Sequence, residues 1–158
     1  MAGEATVIVN APDTVDLTGL ALYAISPQRA YCIAVPDEEF DHAIRVRVPN
    51  MLTVGLYRDV TPPTIRFVQP QWNAKLRERR PKILAILRDR GSGFEKSDSA
   101  MEMRIDGEWV PAAYDPEENT FAYVPPAPLR PGRHTVVIHA RDRVGNERTA
   151  TLRFMILQ

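Results

Sequence analysis

Three histidines, His42, His134 and His139, are the first residues to test for metal chemistry. A catalytic zinc needs three protein ligands and an open position. His134 and His139 lie five apart in an alternating apolar run. On a strand that spacing sends them to opposite faces. His42 follows the acidic stretch Asp37-Glu38-Glu39-Phe40-Asp41, which reads as a solvated loop. The three make no zinc set. Cys32 is the single cysteine, so no internal disulfide is possible, and its apolar surroundings suit a buried structural thiol. Gly91-Ser92-Gly93 lacks the lysine of a phosphate-binding loop. No serine stands in a nucleophile-elbow context. The pairs Glu38-Glu39 and Glu117-Glu118 are adjacent residues in polar turns, and adjacent side chains diverge on a strand. The expectation is a protein that is not an enzyme.

Two constellations remain. In a seven-strand sandwich the loops after the second and sixth strands share one end with the start of the first strand. That would gather Asp59, Asp89, Asp142 and Asn146. Calcium takes six to eight oxygen ligands, so these residues are calcium candidates at a joint between β-domains. The competing reading has Asp142 and Asn146 capping their own turn, with Asp59 and Asp89 paired to nearby arginines, and no cofactor. The second constellation is aromatic: Trp72, Trp109, Tyr114 and Tyr123 could stack on sugar rings. Trp109 is expected instead to be a core or half-buried packing residue, placed by the Asp106-Gly107 turn before it.

Composition narrows the partners. Lysine plus arginine and aspartate plus glutamate are both 20, for a formal net charge of zero. A nucleic-acid binder usually carries a basic excess on one face. The basic cluster Lys75, Arg77, Arg79, Arg80 and Lys82 is interrupted by Glu78 and reads as a solvated loop or edge strand. No apolar run approaches the ~20 residues needed to span a bilayer, and the opening MAGEATV does not read as a signal peptide; it suits a cytosolic terminus and equally a start from which a leader or upstream domain was removed.

The elements that must position these residues are strands. Ile44, Val46 and Val48 alternate with Arg45 and Arg47. Val136, Ile138 and Ala140 alternate with Val137, His139 and Arg141, and Leu152, Phe154 and Ile156 follow on a return strand. Alternation of this kind marks a half-buried strand. Asp142–Asn146 turns that hairpin. The 14 prolines cluster between apolar runs, where they read as loops and edges. Only residues 73–80 suggest a helical turn. The doublet Pro62-Pro63 ends any central strand, so residues 1–58 form a small or partial β-domain, 59–63 a joint, and 64–158 a second domain. Expected strands in the first part are Thr6–Asn10, Leu20–Ser26, Tyr31–Val35, Ala43–Val48 and Thr53–Arg58. In the second they are Thr64–Val68, Lys82–Asp89, Ala100–Ile105, Glu108–Val110, Thr120–Val124, Thr135–Asp142 and Arg148–Leu157. These seven segments, with turn signals between them, predict an all-β, immunoglobulin-like antiparallel sandwich preceded by a smaller β segment. Ile83, Ala85 and Leu87 should form one wall of its core, and Met101, Met103 and Ile105 should add to it.

Four stretches carry a resemblance: DVTPPTI (59–65), LRDRGSGF (87–94), IDGEWVPAAYDPEENTFAYV (105–124) and LRPGRHTVVIHARDRVGNERTATLRF (129–154). Together they resemble the immunoglobulin-like repeats of bacterial envelope and secreted proteins. They look closest to the non-catalytic C-terminal β-domains of lysostaphin-like murein zinc endopeptidases, whose peptidase domain this chain lacks. The stretches 24–49 and 51–59 are similar, more loosely, to the β-segment that precedes that module. The resemblance implies a periplasmic or extracellular setting. It implies a structural or binding module that positions a neighbouring domain or contacts cell-wall glycan or a protein partner. A carbohydrate-binding module and an accessory fragment of a murein peptidase are the alternatives. No nucleic acid is expected as partner, and an edge strand of the short first segment could pair with a second copy to give a dimer.

Overall fold

The computed structural model describes residues 4–10, 14–36, 43–49, 53–95 and 100–158. His42 and the Asp37–Asp41 run lie outside them. Packing divides the chain into two units. The first holds residues 1–61 together with Arg90–Phe94 and Asp142–Asn146; the second holds the rest. The division falls between Thr61 and Pro62.

In the first unit, β1 (Glu4–Asn10) pairs antiparallel with β4 (Ala43–Pro49). A second sheet has β2 (Leu20–Ile25) between β3 (Ala30–Ala34) and β5 (Thr53–Arg58). Leu22, Ala34 and Ile44 are its buried centre, with Val7, Val9, Ile33, Val46 and Val54 packed around them. These residues come from both sheets, so the alternating valines and isoleucines of β1 and β4 have a partner face to bury against.

The second unit is a sandwich of a five-stranded and a four-stranded sheet. The larger runs β10 (Glu108–Val110), β9 (Met101–Ile105), β13 (Gly132–Arg141), β14 (Glu147–Ile156) and β7 (Lys75–Leu76). The smaller runs β11 (Ala113–Asp115), β12 (Thr120–Tyr123), β8 (Ile83–Arg88) and β6 (Thr64–Gln69). Ile83, Ala85 and Leu87 of one sheet, and Met103, Val136, Ile138 and Ala140 of the other, are fully buried. Met101 is only half-buried. The β13–β14 hairpin keeps an unbroken register from Gly132↔Ile156 to Arg141↔Glu147. The fold class is all-β, as the alternation and turn residues predict.

Two short strands depart from the expected set. Residues 73–80 hold no helical turn: Lys75–Leu76 is a strand parallel to β14. Two residues are too few to show a period, so the alternation test has nothing to detect. Likewise Ala113–Asp115 pairs with β12 across a polar turn that carries Asn119 at φ 56°. The sandwich edges are blunted. β7 and β10 are short, and β6 has an irregular register between Phe67 and Gln69. Short and bulged edges are poor templates for strand addition. Among the described residues no helix is long and apolar enough to cross a membrane.

Candidate functional site

The first unit brings three of the predicted calcium residues together. Asp59 is buried, and its carboxylate accepts from Ser92 N at 2.6 Å and Thr61 N at 3.0 Å. Its own amide donates to Gly19 O at 2.7 Å, and its carbonyl accepts from Asn146 Nδ2 at 3.1 Å. Asp142 is also buried, and its carboxylate accepts from Val144 N at 3.0 Å, Asn146 N at 2.8 Å and Asn146 Nδ2 at 2.8 Å. One carboxylate oxygen of Asp59 and one of Asp142 lie within 4.8 Å of each other. Asp89 is half-buried and belongs to the second unit, one peptide bond before Arg90.

Asp142 and Asn146 thus cap their own turn, because an Asp side chain can close a loop on the amides that follow it. Asp59 is held by amides; its oxygens answer Thr61 and Ser92. The fit at this point is tight. A Cβ at Gly91 would stand 1.9 Å from Asp59 Oδ2, so only glycine allows the carboxylate over the Gly91–Ser92 backbone. Arg143 completes the arrangement. Its amide donates to Gly93 O at 2.9 Å, and its guanidinium donates to Cys32 O at 3.3 Å and lies 3.3 Å from Cys32 Sγ. Cys32 is half-buried rather than sealed in a core. At the entry to β2, Thr18 donates to Asp16 and Arg58 bridges to it at 3.6 Å. The Thr18 hydrogen bonds, and then the Arg58 charge, hold the Asp16 carboxyl below its ordinary value.

His134 lies in the core, not at the surface. It is 7% exposed and stacked on Phe154, with ring centroids 5.4 Å apart. Its Nδ1 lies 2.6 Å from Asp106 Oδ2 and its Nε2 2.8 Å from Arg130 O. Asp106 Oδ1 also accepts from Thr135 N at 2.8 Å. Inward parity on β13 puts the ring in the core, and a buried imidazole needs partners for both nitrogens. His139 takes the opposite face of β13, as its spacing predicts, with Nε2 3.4 Å from Glu147 Oε2.

No known family model matches the chain, and no curated protein matches it. The site therefore has to be read from its own geometry.

The aromatic candidates separate. Trp72 is 57% exposed and Trp109 61% exposed, whereas Tyr114 and Tyr123 are half-buried. Trp109 is thus no packing residue. It pairs with Arg104, and strand parity turns both away from the side that carries Met103 and Ile105. The Asp106-Gly107 turn, with φ of 53° and 91°, fixes that parity. Tyr114 leans on its own loop, 3.5 Å from Asn119 Oδ1, and burial and then the Asp115 charge push its phenol above its ordinary value.

Trp72 sits in a tight turn closed by Ala74 N on Gln71 O at 3.0 Å, with Asn73 at φ 58°. This matches a type II turn, in which the third residue takes positive φ. The turn is tied to β14 by Asn73 N on Arg153 O at 2.8 Å and Met155 N on Ala74 O at 2.8 Å. Beside it opens a cleft of about 590 Å³, lined by Asn73, Lys75, Arg133, His134, Thr135, Arg153, Phe154 and Met155. Sequence reading missed this cleft. The signal was present as alternation: Arg133 and Thr135 on β13, and Arg153 and Met155 on β14, are the outward residues of a hairpin whose inward ones form the core.

Proposed function

We propose that the chain is a non-catalytic binding module of a bacterial envelope or secreted protein, working outside the cytoplasm and contacting cell-wall glycan. The observation that carries this reading is the exposure of both tryptophans, 57% and 61%, on a sandwich whose other large apolar side chains are mostly buried. Exposed indole faces held by a strand and by a tight turn are suited to stacking on sugar rings. The resemblance of residues 59–154 to non-catalytic domains of murein peptidases supports the same setting, and an accessory role beside a peptidase fits it. The remaining polar groups support a scaffold: Asp59, Asp142, Asn146 and His134 are occupied in hydrogen bonds that shape turns and core.

Co-sedimentation of the chain with insoluble murein sacculi tests the proposal. The wild type should pellet with the sacculi, and Trp72→Ala or Trp109→Ala should release it while leaving the thermal midpoint unchanged. Wild-type protein that stays in the supernatant overturns the reading.

A further inference from the structure

From the cleft beside Trp72 we infer that the module recognises an acidic glycan. A sugar ring stacks on Trp72, and carboxylates of the glycan are held by Lys75, Arg133 and Arg153. This rests on the binding-module reading and narrows it to one site and one ligand class.

Register brings the cations together. Arg133 pairs with Met155, and Met155 pairs with Lys75, so the three stand in one row across β13, β14 and β7. Arg153 pairs with Thr135 in the adjacent row. Neighbouring strands lie about 4.8 Å apart, so three cationic stems converge on a patch only two strand spacings wide. Among the described residues none of the three has a carboxylate at ion-pair distance. Asp106, the carboxylate bound to the cleft residues His134 and Thr135, is occupied by those two donors. The cleft therefore presents three cationic side chains that no carboxylate among the described residues pairs with, in a chain of zero formal net charge.

The shape selects among anions. At about 590 Å³ the cleft is the size of a small-ligand site. A nucleic-acid interface neutralises many more phosphates, commonly about 6–10, over a broader surface. Arginine forks match carboxylates, and the outward Met155 gives the cleft an apolar patch for a sugar face. Trp72, the residue before Asn73, supplies an exposed indole at the same turn.

The test uses the full chain and five probes: polygalacturonate and hyaluronate as acidic glycans, dextran as a neutral one, polyphosphate as charge without sugar, and a short DNA duplex. Calorimetry gives affinity. Tryptophan emission is followed in parallel, and the part of its change on binding that is lost in Trp72→Phe reports contact there. At least one acidic glycan should bind and change Trp72 emission, with dextran bound far more weakly. Lys75→Gln and Arg153→Gln should each weaken it about tenfold, the loss of one charge-assisted hydrogen bond. Arg66→Gln, on the other sheet, should change nothing. The inference is overturned by failure of both acidic glycans to bind. It is equally overturned if polyphosphate binds as well with Trp72 emission unchanged, or if DNA binds more tightly. Binding to murein sacculi that survives Lys75→Gln and Arg153→Gln but not Trp109→Ala overturns the cleft and leaves the module reading standing.

Discussion

Replacing Gly91 by alanine should destabilise the first unit through a single atom. The new Cβ would sit 1.9 Å from Asp59 Oδ2, 2.2 Å from Cγ and 2.5 Å from Oδ1. Those distances leave no room, so the carboxylate must swing away. It is held there by Ser92 N at 2.6 Å and Thr61 N at 3.0 Å, and a swing breaks both bonds. Hydrogen bonds to a charged group contribute about 1.5–3 kcal/mol each. Set against them is the gain of about 0.4–1 kcal/mol when alanine stiffens the unfolded chain. The net cost is about 3 kcal/mol, a fall in thermal midpoint of roughly 6–12 °C for a chain of this length. Urea unfolding followed by circular dichroism measures it, and faster hydrogen exchange at the Ser92 amide locates it. A double-mutant cycle isolates the cause. In an Asp59→Ala background the carboxylate is gone, so Gly91→Ala should cost under about 0.5 kcal/mol, with a coupling near 3 kcal/mol. A Gly91→Ala variant as stable as wild type, or additivity in the double variant, would refute the reasoning.

Three further outcomes follow from the same structure. Ile138→Ala, at a fully buried position of the sandwich, should cost about 2–5 kcal/mol and Ile138→Val about 0.5–1.5 kcal/mol by urea unfolding; equal costs would show that the site collapses around the missing atoms. Tyr114 should be among the last tyrosines to ionise, since burial and Asp115 raise its folded value above the unfolded one of about 10. Its stabilising contribution is complete below that value and is lost as pH rises through the folded one, so Tyr114→Phe should remove the highest-pH component of the tyrosinate absorbance. Calcium at about 5 mM should leave the thermal midpoint unchanged, because the Asp59 and Asp142 carboxylates are already satisfied by amide donors. A rise of several degrees would instead make them cation ligands.

The legible part of this fold is the part written in alternation. Ile83, Ala85 and Leu87, and Val136, Ile138 and Ala140, are buried because a period of two has one meaning on a half-buried sheet. The turn at Asp142–Asn146 was equally plain, since aspartate, glycine and asparagine each serve a turn by a known mechanism. Parity was misread at Trp109. A large aromatic invites placement in a core, yet the Asp106-Gly107 turn fixes which face it takes, and that face is solvent. His134 shows the converse: parity sends it inward, and Asp106 and Arg130 O supply the partners that a buried imidazole demands.

The cleft was hidden for a different reason. Its residues come from the turn at Asn73 and from β7, β13 and β14, with Lys75 lying 58 positions before Arg133. Nothing local links Lys75 to Arg153; a two-residue parallel strand does. Parallel pairing of so short an edge leaves no periodicity, so the basic run from Lys75 to Lys82 reads as solvated charge. Once β7 is placed, that run divides. Arg79 and Arg80 are spent on the carbonyls of Leu129 and Pro125, which they reach at 2.9 Å, whereas Lys75 joins two arginines across the sheet. The same sequence feature thus contains arginines that fasten loops and, in Lys75, a cation with no ion-pair partner among the described residues. The substitution that separates them is Lys75→Gln, which should leave stability unchanged and weaken an acidic ligand, whereas Arg80→Gln should do the reverse.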